Sequence, residues 1–286
     1  MIGSENMPTF DRRDWPRTLG AAILALALTA CGAESLEAQV AAAAAKGDFT
    51  KVIGLWEPLA GEGDVQAMME IAALYEFGPA SVQDYSKAAE LYRQAADLGD
   101  TTAMIGLGIL YENAQGVERD MDEALALYTQ AGDLGDVIGQ FRVGLLYDGG
   151  TWGPPDYQAA IRWYKKAANQ GLVDAQMKLG GHFFSGFGET VVRDTTEAAK
   201  WFRMAAELGH PGGQYRMGTL HEAGNGVEKN PEFAYAWFRL AAAQGSEPAD
   251  QSMARVALTL DPDTLASAQA LSLTYWDLYV APFQGN

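Results

Sequence analysis

Cysteine and histidine are scarce in this sequence, and their scarcity limits the chemistry that it can support. The 286 residues include one cysteine and three histidines. A single cysteine excludes an internal disulfide and the zinc motifs that need two or four thiols. Three histidines are too few for most catalytic schemes.

Positive charge is scarce as well. Lysine and arginine together number 20 against 37 aspartates and glutamates, and the formal net charge is −17. Nucleic acids require clustered lysine and arginine, so we expect no nucleic-acid partner. The hydrophobic content of 48% is enough for a large core and excludes a disordered or collagen-like chain.

The N-terminal segment is too short to span a membrane but has the layout of a secretory signal. Arg12, Arg13 and Arg17 precede a charge-free run of twelve residues, Leu19–Ala30, which closes with small residues before Cys31. A bilayer span needs about 20 apolar residues. A basic start, a short apolar run and small residues before a cleavage point are typical of a signal peptide, which we place at residues 1–30.

The end of this segment, Leu28-Thr29-Ala30-Cys31, resembles the lipobox of bacterial lipoproteins. The resemblance implies that Cys31 is a lipid attachment site and anchors the mature chain to a membrane of the bacterial cell envelope, facing the periplasm. Gly32 after the cysteine, in place of an aspartate, is compatible with export to an outer membrane. The alternative is an Ala/Leu-rich buried helix with an inert core cysteine, because buried thiols are common.

The rest of the chain repeats with a period of 36 residues. Such a period must be settled before any motif is interpreted, because it determines the whole fold. The clearest recurring positions are an aromatic row, an alanine row and a glycine row. They are Tyr75, Tyr111, Tyr147, Phe183 and His221; Ala88, Ala124, Ala160, Ala198 and Ala234; and Gly99, Gly135, Gly171, Gly209 and Gly245.

Each repeat is predicted to be a helical hairpin. Leu107, Leu110 and Tyr111 keep helical spacing, Asp120 caps a second helix, and Gly135 stands where a left-handed residue ends it. Another glycine row lies inside the first helices: Gly108, Gly144, Gly180 and Gly218. Because glycine in a helix costs about 1 kcal/mol relative to alanine, this row predicts a close approach of two backbones.

The recurring patterns Leu-Gly-x-Leu-Tyr, Gly-Val-x-x-Asp and Ala-x-x-Leu/Trp-Tyr/Phe-x-x-Ala-Ala/Gly resemble the Sel1-like repeat, a relative of the tetratricopeptide repeat. The resemblance implies an all-α fold, a right-handed α-solenoid of stacked helical hairpins that binds other proteins. We place five repeats at residues 67–102, 103–138, 139–174, 175–212 and 213–248, with capping helices at 31–66 and 249–286. The fourth repeat is two residues longer, in the loop between its helices.

No group of residues has the pattern of an active site. His182 and His221 occupy structural rows of the repeat, and His210 follows a helix-ending glycine. A metal site would need His182 and His221 to converge with a carboxylate, and they lie on different rows of adjacent repeats. We therefore predict no enzymatic activity, no metal and no cofactor.

Two rows on the first helices are the predicted partner-binding residues, because in tetratricopeptide-like stacks these helices line the concave side. The apolar row is Met69, Ile105, Phe141, Met177 and Tyr215. The acidic row is Glu76, Glu112, Asp148 and Glu222, with Phe184 in its fourth place. Large adaptable side chains suit a partner helix or an extended peptide, and the acidic edge favours a partner with basic flanks.

Alternatives to both rows remain open at this stage. The apolar row also fits inner packing between repeats, and the acidic row also fits an ordinary solvated face. The loops that carry Trp152 and Phe187 are a second candidate contact, because aromatic residues at loop tips often mark interfaces.

The leading functional hypothesis is a lipid-anchored scaffold of the cell envelope that binds a protein or peptide without catalysis. The first alternative is a periplasmic regulator of a sensor or signalling protein. The second is a cell-envelope enzyme or peptidoglycan-associated factor, which would require a cleft with converging carboxylates.

Overall fold

The computed structural model describes residues 35–149, 153–187 and 190–284, and within them it contains 14 α-helices. The predicted lipidation site Cys31 and the loop residue Trp152 lie outside the described residues. Contacts between Cα atoms divide the chain into two compact units, an N-terminal unit up to Ala131 and a C-terminal unit from Gly132. The predicted all-α fold of helical hairpins is confirmed.

The N-terminal unit is built from helices that pack against their neighbours in the chain. These are α1 (Leu36–Ala45), α2 (Phe49–Gly61), α3 (Val65–Phe77), α4 (Tyr85–Asp97), α5 (Thr101–Asn113) and α6 (Met121–Asp133), the last of which crosses the unit boundary. The pairs α3/α4 and α5/α6 are the first two hairpin repeats. One cluster of buried side chains, from Val40 to Ala131, forms the core of this unit.

The C-terminal unit contains the remaining three hairpins and the C-terminal helices. They are α7 (Val137–Gly149), α8 (Tyr157–Asn169), α9 (Val173–Ser185), α10 (Thr195–Glu207), α11 (Pro211–Ala223), α12 (Pro231–Ala243), α13 (Glu247–Ala257) and α14 (Pro262–Tyr279), followed by a 3₁₀ turn at Ala281–Phe283. In the fourth repeat, a single antiparallel bridge between Phe187 and Val191 shapes the longer loop.

Aspartate side chains begin most of the helices. The N-terminal N–H groups of a helix lack partners within the helix, and a carboxylate that accepts from them also complements the positive end of the helix dipole. Asp100 accepts from the N–H of Ala103 at 2.7 Å, and Asp156 accepts from that of Ala159 at 2.9 Å. Asp48, Asp64, Asp84, Asp120, Asp136, Asp194 and Asp261 do the same at their own helices. Part of the acidic surplus therefore specifies where helices begin.

The glycine row inside the first helices has a different cause from the one that its sequence suggests. A methyl group added at Gly144 would lie 2.5 Å from ring atoms of Tyr164, and one added at Gly180 would lie 2.5 Å from Phe202. The ring that occupies the space comes from the second helix of the same hairpin. The close approach is thus between a helix backbone and an aromatic ring rather than between two backbones.

The long helix α14 packs mainly against α12 and more lightly against α10, the second helices of the fifth and fourth repeats. Its Tyr275 and Tyr279 lie against Trp237, with ring centroids 4.8 and 5.6 Å away. Trp237 is buried as a result.

Candidate functional site

The apolar row lies at the fifth position of each first helix and is half-buried at every member. In the C-terminal unit, the ring of Phe141 is 5.6 Å from that of Tyr164, and the ring of Tyr215 is 5.7 Å from that of Phe238. Met177 lies between them in the chain, on α9. Each aromatic member therefore rests on a buried aromatic ring of its own hairpin and keeps part of its surface in solvent. The row combines inner packing with an accessible apolar edge.

The acidic row is less exposed to solvent than its sequence suggests. Three of its carboxylates accept hydrogen bonds from buried tyrosines. The hydroxyl of Tyr92 donates to Glu76 at 2.7 Å, that of Tyr128 to Glu112 at 2.9 Å, and that of Tyr164 to Asp148 at 3.0 Å. We call these the tyrosine–carboxylate pairs. In each pair, the first and second helices of one hairpin are joined by residues 16 positions apart.

The fourth and fifth repeats depart from this pattern. The fourth has phenylalanine at both positions, Phe184 and Phe202, so it has neither the acceptor nor the donor. The fifth has Phe238 in place of the tyrosine, and its carboxylate, Glu222, instead accepts two-pronged hydrogen bonds from the guanidinium of Arg255 at 2.8 to 3.2 Å. Sequence reasoning missed these pairs, although the constant offset of 16 residues and the joint loss at Phe184 and Phe202 carried the signal.

Asp148 has the most elaborate surroundings in the row. Its carboxylate lies 3.0 Å from Nε2 of His182 and 3.2 Å from Nζ of Lys178, in addition to the Tyr164 hydroxyl. Burial opposes ionisation of Asp148, but the hydrogen bonds and charges of His182 and Lys178 outweigh it and lower its pKa to about 2. Burial and the Asp148 charge raise the pKa of Tyr164, which therefore stays protonated as a donor.

Glu76 has a contrasting environment. Its side chain is 7% exposed, and α3 and α5 contain no lysine or arginine. Burial raises the pKa of Glu76, and the hydrogen bond from Tyr92 opposes that shift only in part. The hydroxyl of Tyr92 is consequently a major part of what allows this carboxylate to be buried.

Two of the histidines lie among aromatic rings and backbone groups of the repeats. His182 is 4% exposed and contacts the rings of Tyr157, Tyr164 and Phe187, while its Nδ1 has no hydrogen-bond partner among the described residues. His221 bonds through Nδ1 with the carbonyl of Glu228 at 3.0 Å. Among residues 35–149, 153–187 and 190–284, no cluster of three or more His, Cys, Asp or Glu is arranged to hold a metal ion.

The loop residue Phe187 turns inward. Its ring stacks on that of Tyr157, with centroids 4.1 Å apart and planes inclined by 19°. Beside this longer loop lies an open pocket of about 660 Å³ that is lined by Ile161, Lys165, Phe183, Val191 and Arg193 among others. Among the described residues of its lining, the one carboxylate is that of Asp194, which caps α10.

This architecture is that of a helical repeat protein, in which stacked hairpins present a half-buried surface on their first helices. The Sel1 repeat matches five consecutive segments, residues 65–100, 101–136, 137–172, 173–210 and 211–246, which begin two residues before the boundaries expected from the sequence. The chain therefore belongs to the Sel1 repeat family. Members of this family typically serve as protein-interaction scaffolds or regulators and are generally not catalytic.

Solved structures and one curated protein give further similarities. A Sel1 repeat protein from Oxalobacter formigenes has a TM-score of 0.61 and 21% identity, covering 82% of this chain and 94% of that one. The protective antigen c5321 of uropathogenic Escherichia coli strains has a TM-score of 0.47 and 22% identity, covering 86% and 69%. The chitin synthase regulator SKT5 of Saccharomyces cerevisiae is 38% identical over 50 residues, which are 18% of this chain and 7% of that protein. These similarities concern the fold and a short stretch of repeat.

Proposed function

We propose that this chain is a lipid-anchored Sel1 repeat scaffold of the bacterial cell envelope, that it binds a protein or peptide through its first helices, and that it has no catalytic activity. The observation that carries the binding proposal is the apolar row, which recurs once per repeat and keeps an accessible edge above buried rings. Among the described residues, no helix combines the length and the apolar character needed to cross a membrane. The proposed attachment is carried by Cys31 and the lipobox-like sequence before it.

The binding surface is tested by changing the row without removing its inward contacts. Phe141→Leu with Tyr215→Leu keeps an apolar side chain over Tyr164 and Phe238 but removes the ring faces. Because both side chains are half-buried, each change should cost about 1–1.5 kcal/mol, so the melting temperature should fall by about 4–12 °C and unfolding should stay cooperative. Partners captured by cross-linking in bacterial membranes should be lost from this variant.

The matched control changes two exposed leucines elsewhere, Leu258 and Leu273, to alanine. They are 89% and 59% exposed and lie outside the first-helix row. This variant should capture the same partners as the wild type. Capture that survives in the row variant would refute the row's role in binding, and a collapse of its melting temperature would place the row in the core.

The anchor has its own experiment. Cells that express the wild-type chain or Cys31→Ser are grown with an alkyne fatty acid, and the protein is then labelled and fractionated. We expect label and membrane association in the wild type, and neither in the variant, because lasting attachment takes more than one acyl chain and the diacylated cysteine supplies them. An unlabelled wild type would refute the lipoprotein part of the proposal.

A regulatory role is the second candidate, favoured by the similarity to the yeast chitin synthase regulator. A scaffold that restrains a sensor or signalling protein would use the same surface. Deleting the gene and comparing transcripts separates the two roles. A concerted change in one group of genes favours regulation, whereas an unchanged profile favours a passive scaffold.

A further inference from the structure

The fourth repeat departs from a pattern that the first three repeats share, and it lacks the carboxylate that would face a cationic side chain of the next repeat. In the third repeat, Asp148 accepts from Tyr164 and also pairs with Lys178 of the next first helix, whose Nζ is 3.2 Å away. One repeat later, the positions of Asp148 and Tyr164 are taken by Phe184 and Phe202. The lysine position, however, is still cationic.

That cation is Arg216, which stands in α11 where Lys178 stands in α9. Its guanidinium lies 5.9 Å from the ring centroid of Phe202 and is exposed. Among the residues that the structure describes, no carboxylate lies within ion-pair distance of Arg216. The double change to phenylalanine has therefore removed the carboxylate of this position and kept the base that faces it.

A second arginine, from the longer loop of the fourth repeat, lies over the neighbouring phenylalanine. The guanidinium of Arg193 lies 5.5 Å from the ring centroid of Phe184, and this side chain is also exposed and has no ion-pair partner in the described part of the chain. Phe184 is half-buried and packs against the core cluster that contains Phe202 and Met217. Two arginines thus lie over two neighbouring aromatic side chains at the junction of the fourth and fifth repeats.

We infer that this junction, defined by Phe184, Arg193, Phe202 and Arg216, binds a carboxylate of a partner peptide. The inference rests on the proposed binding function and specifies the partner's chemistry: an Asp or Glu side chain next to an apolar one. Guanidinium groups bind carboxylates with paired, charge-assisted hydrogen bonds, and the exposed face of Phe184 offers an apolar platform beside them. The partner's carboxylate would pair with Arg216 as Asp148 pairs with Lys178 in the third repeat.

Charge complementarity favours this occupant over the basic partner that the acidic row suggested. Of that row, Glu76, Glu112 and Asp148 are engaged by tyrosines, and Glu222 is engaged by Arg255. Among the described residues, neither arginine of the junction has an ion-pair partner, although the formal net charge of the chain is −17. A peptide that brings a carboxylate completes the local pattern, whereas a basic peptide would add a third positive charge to the junction.

The test uses the full chain and a peptide array. Each peptide has a Leu-Glu pair at its centre, and each has a twin with Leu-Gln. Wild-type protein should bind the Glu members about two- to fivefold more strongly than their Gln twins, since a charge-assisted hydrogen bond is stronger than a neutral one but the arginines are exposed to solvent. Arg193→Ala with Arg216→Ala should abolish the preference.

A second variant keeps the arginines and introduces a carboxylate of the chain itself beside Arg216. Phe184→Glu with Phe202→Tyr restores the pair found in the first three repeats, and the introduced carboxylate faces Arg216 as Asp148 faces Lys178. It should keep a cooperative melting transition, although the half-buried carboxylate makes it somewhat less stable than the wild type, and it should lose the preference for Glu peptides. Arg162→Ala with Lys200→Ala is the matched control, because it removes two positive charges from the exposed surface of α8 and α10. This control should keep the preference.

The possible results separate this inference from the proposed function. Equal binding of Glu and Gln twins that still depends on Phe141 and Tyr215 would overturn the carboxylate site and leave the scaffold in place. A preference that survives in both junction variants would also overturn it. Absence of binding to every peptide would overturn it as well, while the cross-linking experiment would decide the scaffold separately.

Discussion

At the scale of single residues, the tyrosine–carboxylate pairs show how a repeat tolerates buried charge. A buried carboxylate is costly unless hydrogen bonds replace its water, and each tyrosine hydroxyl supplies one from the opposite helix of the hairpin. The fourth repeat avoids the cost altogether, because both partners are phenylalanine there. The chain thus contains two solutions to one packing problem, a polar one and an apolar one.

Tyr92→Phe should reveal how much stability the buried carboxylate costs when its hydrogen bond is removed. It leaves Glu76 buried without its closest donor, and we expect the free energy of unfolding to fall by about 1–3 kcal/mol in urea titrations. Adding Glu76→Leu should restore most of the loss, since the pair then resembles the apolar pair of the fourth repeat. Equal stability of the single variant and the wild type would show that the hydrogen bond contributes nothing.

Protonation of His210 couples the stability of helix α11 to pH. Its Nδ1 accepts a hydrogen bond from the N–H of Gly213 at 3.1 Å and so caps α11 in the neutral form. Burial lowers the pKa of His210 below its ordinary value, and the charge of Asp174 opposes this only in part. The unfolded chain therefore takes up a proton at a higher pH than the folded chain, so the stability from this cap is complete above about pH 6.5 and is lost as pH falls through the folded pKa.

Replacing His210 with asparagine tests this link, because asparagine caps helices and does not titrate. Between about pH 7 and pH 5, wild-type stability should fall by up to about 1 kcal/mol more than that of His210→Asn. Burial also lowers the pKa of His221, so some slope should remain in the variant. Identical pH profiles in chemical denaturation would rule out His210 as a titrating cap.

At the scale of elements, the helix α9 contains adjacent glycines with opposite roles. A methyl group at Gly180 would meet the buried ring of Phe202 at 2.5 Å, whereas one at Gly181 would meet nothing within 4 Å. Gly180→Ala should therefore cost about 1–3 kcal/mol by overpacking. Gly181→Ala should gain up to about 1 kcal/mol, because alanine favours the helix. Melting temperatures that move in the same direction for both would contradict this account.

These elements also show what sequence alone could and could not predict. The hairpins were predictable because the 36-residue period, the capping aspartates and the helix-ending glycines all point to the same helices, as the positive φ of +98° at Gly135 illustrates. The cause of the inner glycine row was not predictable, because it depends on which aromatic ring packs against which helix backbone. The apolar and acidic rows could be located, but their surroundings could not, because the tyrosines that bind the carboxylates belong to another helix.

At the scale of the whole molecule, the dominant feature is the formal net charge of −17. Some of the acids are engaged as helix caps or in tyrosine–carboxylate pairs. Many others are exposed and repel one another in the folded chain, and the exposed ion pairs contribute little. Salt screens such repulsion, since the Debye length shrinks from about 8 Å at 0.15 M to about 3 Å at 1 M ionic strength.

Raising the concentration of sodium chloride should therefore stabilise the fold and raise its melting temperature. Glu57, Glu62, Glu90 and Glu118 are exposed, and changing all four to glutamine brings the formal charge from −17 to −13. That variant should melt at a higher temperature than the wild type in low salt, and its melting temperature should rise less on adding salt.

The preference for Glu peptides at the fourth and fifth repeats should show the opposite dependence on salt, because the same screening weakens an attraction between exposed charges. Opposite responses of stability and peptide preference to one salt titration would separate the general repulsion from the local arginine site, whereas responses of the same sign would contradict one of the two.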